Sequence, residues 1–234
     1  MRPLFADMLA VTSAIECYSL GYNIFVENPC DPVERPYVFG RPFLWMANLG
    51  INTSDALTLG LGASLAFVSS ALLIVKPADF LGGLFTTAYI LSPAFLLAME
   101  RGNSDLLVFI LIVAALFTLT VPGFLSSTIS AFLLFLVSMT KLYPIAGLVA
   151  LGFYLFSVNR EWKPYFVATI AFVGYCLVDY AYLQAITDSI PNVTGHATFG
   201  VETIFDRFEM ELGAVTRVAG LALGLLVVAI ALLY

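Results

Sequence analysis

One histidine, three cysteines and 11% charged residues in a chain of 234 leave little for several kinds of chemistry. An ordinary soluble domain carries roughly 25% charge. A lone His196 with scattered acids has no metal-ligand spacing. Three cysteines cannot build a disulfide framework, although Cys17 and Cys30 share one polar loop and can bridge if it faces an oxidising compartment, while Cys176 sits in an apolar run. There is no basic face for nucleic acid, the net charge being -6. The first residues lack the charged, apolar and small-residue layout of a signal peptide. Internal repeats and low-complexity stretches are also missing.

What the chain has in abundance is apolar length. Hydrophobic residues make up 61% of it, and runs such as 56–75 and 105–121 approach the roughly 20 residues that cross a hydrocarbon core. They lack period-2 alternation, so helices, and not barrel strands, satisfy the backbone. The expected fold is an all-α membrane protein, a polytopic bundle of about seven spans: 56–75, 80–98, 105–121, 126–140, 143–158, 165–183 and 215–234. The apolar stretch 126–158 is too long for one crossing. Pro144 disfavours helix at Tyr143, which predicts a hairpin turning at Lys141 to Pro144, with a kinked or re-entrant segment as the alternative.

With the hairpin, loops fall on two sides. Residues 1–55, the Glu100 to Asp105 turn, the Lys141 turn and 184–214 form an ornate side; short turns at 76–79, 122–125 and 159–163 form a minimal one. The positive-inside rule does not settle orientation, because Lys76, Arg160 and Lys163 are on the minimal side while most arginines are on the ornate one. Leu4, Met8, Val11 and Ile15 recur at helical spacing, predicting an amphipathic helix on the membrane surface or on other helices. A Gly21-Tyr22-Asn23 break follows, then a proline- and aromatic-rich stretch from Asn28 to Trp45. Loops of this length with their own structure commonly carry function.

The chemistry-bearing groups gather on the ornate side: Asp7; Asp31; Arg35 and Arg41 around Tyr37 to Trp45; Glu100-Arg-Gly-Asn-Ser-Asp105; Thr140-Lys-Leu-Tyr-Pro144; and His196. Sugar transfer from a phosphate carrier needs a carboxylate to take the proton of the acceptor hydroxyl and cations to stabilise the departing phosphate. Arginine's planar fork suits phosphate, with lysine as a point charge. Each group also has a plainer reading. Asp7 solvates or caps its helix; Gly102 supplies a left-handed turn and Ser104 caps the next helix; Lys141 snorkels to headgroups; His196 is an exposed loop residue. Asn52-Thr-Ser54 and Asn192-Val-Thr194 match the glycosylation sequon, a short pattern that chance produces readily.

In their order, these motifs resemble the polytopic glycosyltransferases of the GT-C class, and most closely the family 87 group that includes polyprenyl-phosphate-mannose-dependent mannosyltransferases. The resemblance rests on Asp7, the glycine break at Gly21, Asn28-Pro-Cys-Asp-Pro32 with Arg35-Pro-Tyr-Val-Phe-Gly-Arg-Pro-Phe-Leu-Trp45, the Gly102-Asn103 turn and Lys141-Leu-Tyr-Pro144. It runs from about residue 5 to 165. It implies inverting transfer of a hexose, mannose in the nearest members, from a polyprenyl-phosphate donor to a lipid or glycan acceptor hydroxyl on the outer face of the cell membrane. Asp7 is then the candidate base with Asp31 as competitor. Arg41, Arg101, Asn103, Lys141, Tyr143 and His196 are candidate substrate contacts. The lipid-phosphate sugar is a substrate, and no cofactor or metal is expected.

One departure is that no transmembrane helix precedes Asp7, whereas the class places its base just after the first one. Together with an end inside an apolar run at Tyr234, this leads us to expect a single transmembrane domain over 1–234 (external loop 1–55, bundle 56–234) that is a fragment, with the first and the C-terminal helices missing, and activity belonging to the parent enzyme. Three alternatives stay open: a polysaccharide polymerase, ligase or exporter; a secondary transporter, which would place ionisable groups at mid-membrane; and a non-catalytic multi-pass membrane protein.

Overall fold

The computed structural model describes residues 4–76 and 79–189, all within one compact unit, Met1–Ser189. The expected span 215–234, His196 and Asn192 lie outside the described residues. Among those described there are ten α-helices and no strand: α1 (Ala6–Ser19), α2 (Arg41–Trp45), α3 (Ala56–Val75), α4 (Phe80–Ile90), α5 (Pro93–Arg101), α6 (Ser104–Thr118), α7 (Phe124–Thr140), α8 (Ile145–Ser157), α9 (Lys163–Val178) and α10 (Tyr180–Ser189). The all-helical expectation holds.

The expectation of seven spans does not follow from the helix lengths. With its leading turn, α3 gives an apolar helix of 23 residues, Thr53–Val75, the one described helix long and apolar enough to cross a membrane. No charge interrupts it between Ala56 and Val75, and it ends where Lys76 turns left-handed. Only 22% of its apolar window is buried in the protein, so most of that surface is left for lipid or other apolar partners. Two further expected spans are broken. Pro93 starts a new helix after an extended Ser92, bending α4 against α5 by 50°, and α9 meets α10 at 68° around Asp179. Counting each bent pair as one crossing gives up to three. The other expected spans within the described residues, α6, α7 and α8, have 15, 17 and 13 residues, or roughly 20–26 Å at 1.5 Å per residue.

The hairpin expectation is met. Helix α7 stops at Thr140, Lys141 is extended, and Pro144 precedes α8. Leu155 and Asn159, at and just beyond the far end of α8, line one cavity with Ser126 and Ser127 from the start of α7, so the two helices run antiparallel. Val108 and Ala115 of α6, Ala131, Leu134 and Val137 of α7, Leu148 and Leu155 of α8 and Tyr165 of α9 form the bundle core.

Of the two settings expected for the amphipathic N-terminal helix, the structure has the one on other helices. Met8, Val11 and Ile15 are buried as the spacing predicted, but Leu4 is exposed, and Thr12, Ser13, Ala14 and Cys17 are buried as well. Thr12 and Ser13 meet the cost of that burial by donating to the carbonyls of Leu9 and Ala10. The helix is wrapped on one side by loop residues Ile24 and Tyr37 and by Phe43 and Leu44 of α2, and on the other Phe5 and Met8 pack on Ala63 of α3. Gly60 permits that approach, because a Cβ there would enter the Phe5 ring. The Cys17–Cys30 disulfide, left open by the sequence, is formed; Cys176 is free.

Candidate functional site

At the end of the bundle that carries the N-terminal loop, cations and carboxylates from different elements meet in three pairs. Arg101, in the last turn of α5, grips both oxygens of Asp7 on α1, Nη2 at 2.6 Å and Nε at 3.0 Å. Lys141 Nζ, just past α7, donates to Asp105 Oδ1 at the start of α6 at 2.6 Å, and the Tyr143 hydroxyl donates to the same oxygen at 2.8 Å. Arg41, opening α2, pairs with Asp179 in the α9–α10 break at 2.8 Å and lies 4.5 Å from the centre of the Tyr182 ring.

These pairs adjoin one another along the backbone. Gly102 and Asn103 link the first to the second: Gly102 takes the left-handed conformation and lies against Phe5 and Met8. The residue capping α6 is Asn103, whose side chain accepts from the Asp105 N–H, and not Ser104 as the sequence suggested. The second is linked to the third where the Gly40 N–H donates to the Thr140 carbonyl at 3.1 Å, setting Arg41 and Lys141 each one residue from a shared backbone bond. A Cβ at Gly40 would collide with the Met139 carbonyl; only glycine fits there. Tyr37 stiffens the same corner by donating its hydroxyl to the Gly40 carbonyl at 2.8 Å.

Protonation follows from these settings. Desolvation, with charge and hydrogen bonding from Tyr182 adding to it, pushes the Tyr37 phenol well above its usual 10.0. Tyr143 is also raised, by desolvation first and then by the hydrogen bond and charge of Asp105; both stay neutral donors. Glu16 is lowered, chiefly because the Thr53 hydroxyl and then its backbone N–H donate to the carboxylate. That contact ties α1 to the turn that starts α3.

The structure thus brings Asp7, Arg41, Arg101, Asn103, Lys141 and Tyr143 to one end of the bundle. Asp31 stands apart in role. Its side chain is fully buried and bound by Arg35 at 2.6 and 3.2 Å and by the Val33 N–H at 3.1 Å, while Arg35 also donates to the Ala6 carbonyl at 2.9 Å and the Asn28 side chain to the Arg35 carbonyl at 3.0 Å. This closed network holds the loop to α1 and presents no carboxylate to a substrate. The Asp7 side chain, by contrast, is 15% exposed. Sequence reasoning missed Asp179 and Tyr182; the one available signal was a single acid interrupting an apolar run. Among the described residues no three His, Cys, Asp or Glu side chains gather as metal ligands.

No family model, curated protein or solved structure matches this chain.

Proposed function

We propose that this chain is the catalytic part of a multi-pass membrane glycosyltransferase of the GT-C type, moving a hexose from a polyprenyl-phosphate donor to an acceptor hydroxyl with inversion. The observation that carries the reading is the joined set of three inter-element ion pairs, which gathers a partly open carboxylate and three cations at one end of an apolar bundle. Arg101 takes one lone pair from each Asp7 oxygen and fixes the carboxylate plane. A carboxylate offers about four such sites, so Asp7 keeps capacity to accept the proton of an acceptor hydroxyl. As that oxygen bonds to the anomeric carbon, the bond from carbon to phosphate oxygen breaks and its electron pair leaves with the lipid phosphate. Arg41 and Lys141 neutralise that charge, and the isoprenoid tail stays among the helices.

In this reading the shorter and bent helices are also membrane segments, with the bilayer thinned locally around them, and the loop-rich end faces outward. The Cys17–Cys30 bridge supports that side, since disulfides persist in oxidising compartments.

One observation favours the rival, a non-catalytic multi-pass protein: the three cations proposed for phosphate already have carboxylate partners. Reconstitution with a radiolabelled polyprenyl-phosphate hexose separates the two. Asp7→Asn should abolish transfer to acceptor and leave donor binding within about twofold, since it removes the base without removing a phosphate contact. Transfer retained by Asp7→Asn overturns the assignment of the base; absence of any saturable donor binding by the unaltered chain overturns the enzyme reading.

A further inference from the structure

The opposite end of the bundle, which sugar transfer leaves unused, holds two adjoining cavities of contrasting chemistry. The first, of about 440 Å³, is lined by residues that include Ser126 and Ser127 of α7 and Arg160, Glu161 and Lys163 before and at the start of α9. The second, of about 350 Å³, runs between α8 and α9 and is lined by Leu148, Gly152, Phe153, Phe156, Tyr165 and Phe166 among others. Trp162 lines both, packed edge-on to Phe156 at 5.3 Å and Phe166 at 6.1 Å between centroids. A polar chamber and an apolar groove thus lie side by side, with Trp162 as their shared wall.

The polar chamber favours an anion. Arg160 and Lys163 form no ion pair with any described residue, against a single carboxylate, Glu161, in the same lining. Helix α7 begins at Phe124 without a side-chain cap, so its first N–H groups add positive potential on the facing wall. The left-handed Asn159 reverses the chain directly after α8 and presents Arg160 to Trp162 as a short loop. Within the groove, Gly152 leaves room against the Tyr165 side chain, where a Cβ would come within 3.1 Å. Tyr165 is fully buried, and its hydroxyl and that of Ser130 beside it both lack a well-formed hydrogen bond.

We infer that these two cavities form a binding site for one anionic membrane phospholipid, with its phosphate headgroup between Arg160, Lys163 and the start of α7, and an acyl chain in the α8–α9 groove beyond Trp162. Charge selects the lipid class and the groove selects a lipid over a soluble anion. The inference rests on the membrane reading of these helices and is independent of sugar transfer.

The test is native mass spectrometry of the chain released from nanodiscs holding equal amounts of phosphatidylglycerol and phosphatidylcholine. Preferential retention of phosphatidylglycerol is expected, and Arg160→Gln with Lys163→Gln should lower that preference about 10-fold, each cation near an anionic surface contributing on the order of a several-fold factor. Gly152→Leu, which fills the groove, should reduce retention while leaving both cations in place; Lys76→Gln, a cation of the same end outside both cavities, should change nothing. Equal retention of the two lipids overturns the site, as does an equal loss in Lys76→Gln. Full displacement by glycerophosphoglycerol without acyl chains also overturns it, leaving only an anion site. A chain that fails to enter nanodiscs overturns it together with the membrane reading, whereas a chain that enters them without selectivity removes the lipid site alone.

Discussion

The two ends of the bundle treat charge in opposite ways. At the loop-rich end every described cation is paired: Arg35 with Asp31, Arg41 with Asp179, Arg101 with Asp7, Lys141 with Asp105. At the other end Lys76, Arg160 and Lys163 form no ion pair with any described residue, and Asp79 there caps α4 by accepting from the Gly82 N–H at 2.7 Å. Pairing across elements fixes a constellation of groups in space. Unpaired surface charge does not, but it remains available to a ligand that arrives from outside.

That contrast should appear first in stability. Arg35→Met leaves the buried Asp31 carboxylate without its counter-ion, which should cost about 3 kcal/mol; Lys76→Met at the far end should stay within about 0.5 kcal/mol. Thermal unfolding in detergent compares them, and similar losses would erase the distinction between the two ends. Somewhat smaller is the steric version. Gly40→Ala drives a methyl into the Met139 carbonyl and should cost about 2 kcal/mol, whereas Gly83→Ala, with nothing within 4 Å of its added Cβ, should be neutral or stabilise α4 by up to about 1 kcal/mol. A tolerated Gly40→Ala would show that the loop and hairpin do not meet backbone to backbone.

The smallest effect is a pH dependence. Glu16 is held below its ordinary 4.5 by Thr53, so the folded state binds fewer protons there than the unfolded chain does. Its contribution is present above pH 4.5 and is lost as pH falls through the lowered value. Glu16→Gln should flatten the acid limb of the melting curve by lowering stability slightly at neutral pH while leaving it nearly unchanged below the lowered value. An unchanged acid limb in Glu16→Gln would assign the dependence to another group.

Local features were legible in the sequence because their causes are local. An uninterrupted apolar run gives α3; Pro144 breaks α7 from α8; Gly102 makes the left-handed turn; the 3–4 residue spacing of Met8, Val11 and Ile15 finds the buried face of α1. The breaks at Pro93 and Asp179 also had local signals, a proline and an acid inside apolar stretches, but the expected spans 80–98 and 165–183 run through both. Of the candidate site, the residue types and their common end were visible. The pairing was not, because Asp7 meets Arg101 only through the packing of α1 on α5, and Arg41 meets Asp179 only when α2 reaches the α9–α10 break. Burial likewise separates Asp7, partly exposed, from Asp31, fully enclosed, a difference that the sequence does not carry.

The backbone bond at Gly40 carries a last consequence, for insertions and deletions. Because main chain touches main chain there, the spacing of Arg41 from Lys141 is insensitive to changes among the neighbouring side chains Phe39 and Phe43. It is sensitive to chain length. One residue added or lost between Tyr37 and Arg41 slides the contact by roughly 3.3–3.6 Å, more than a hydrogen bond can stretch. This corner should therefore hold its length constant.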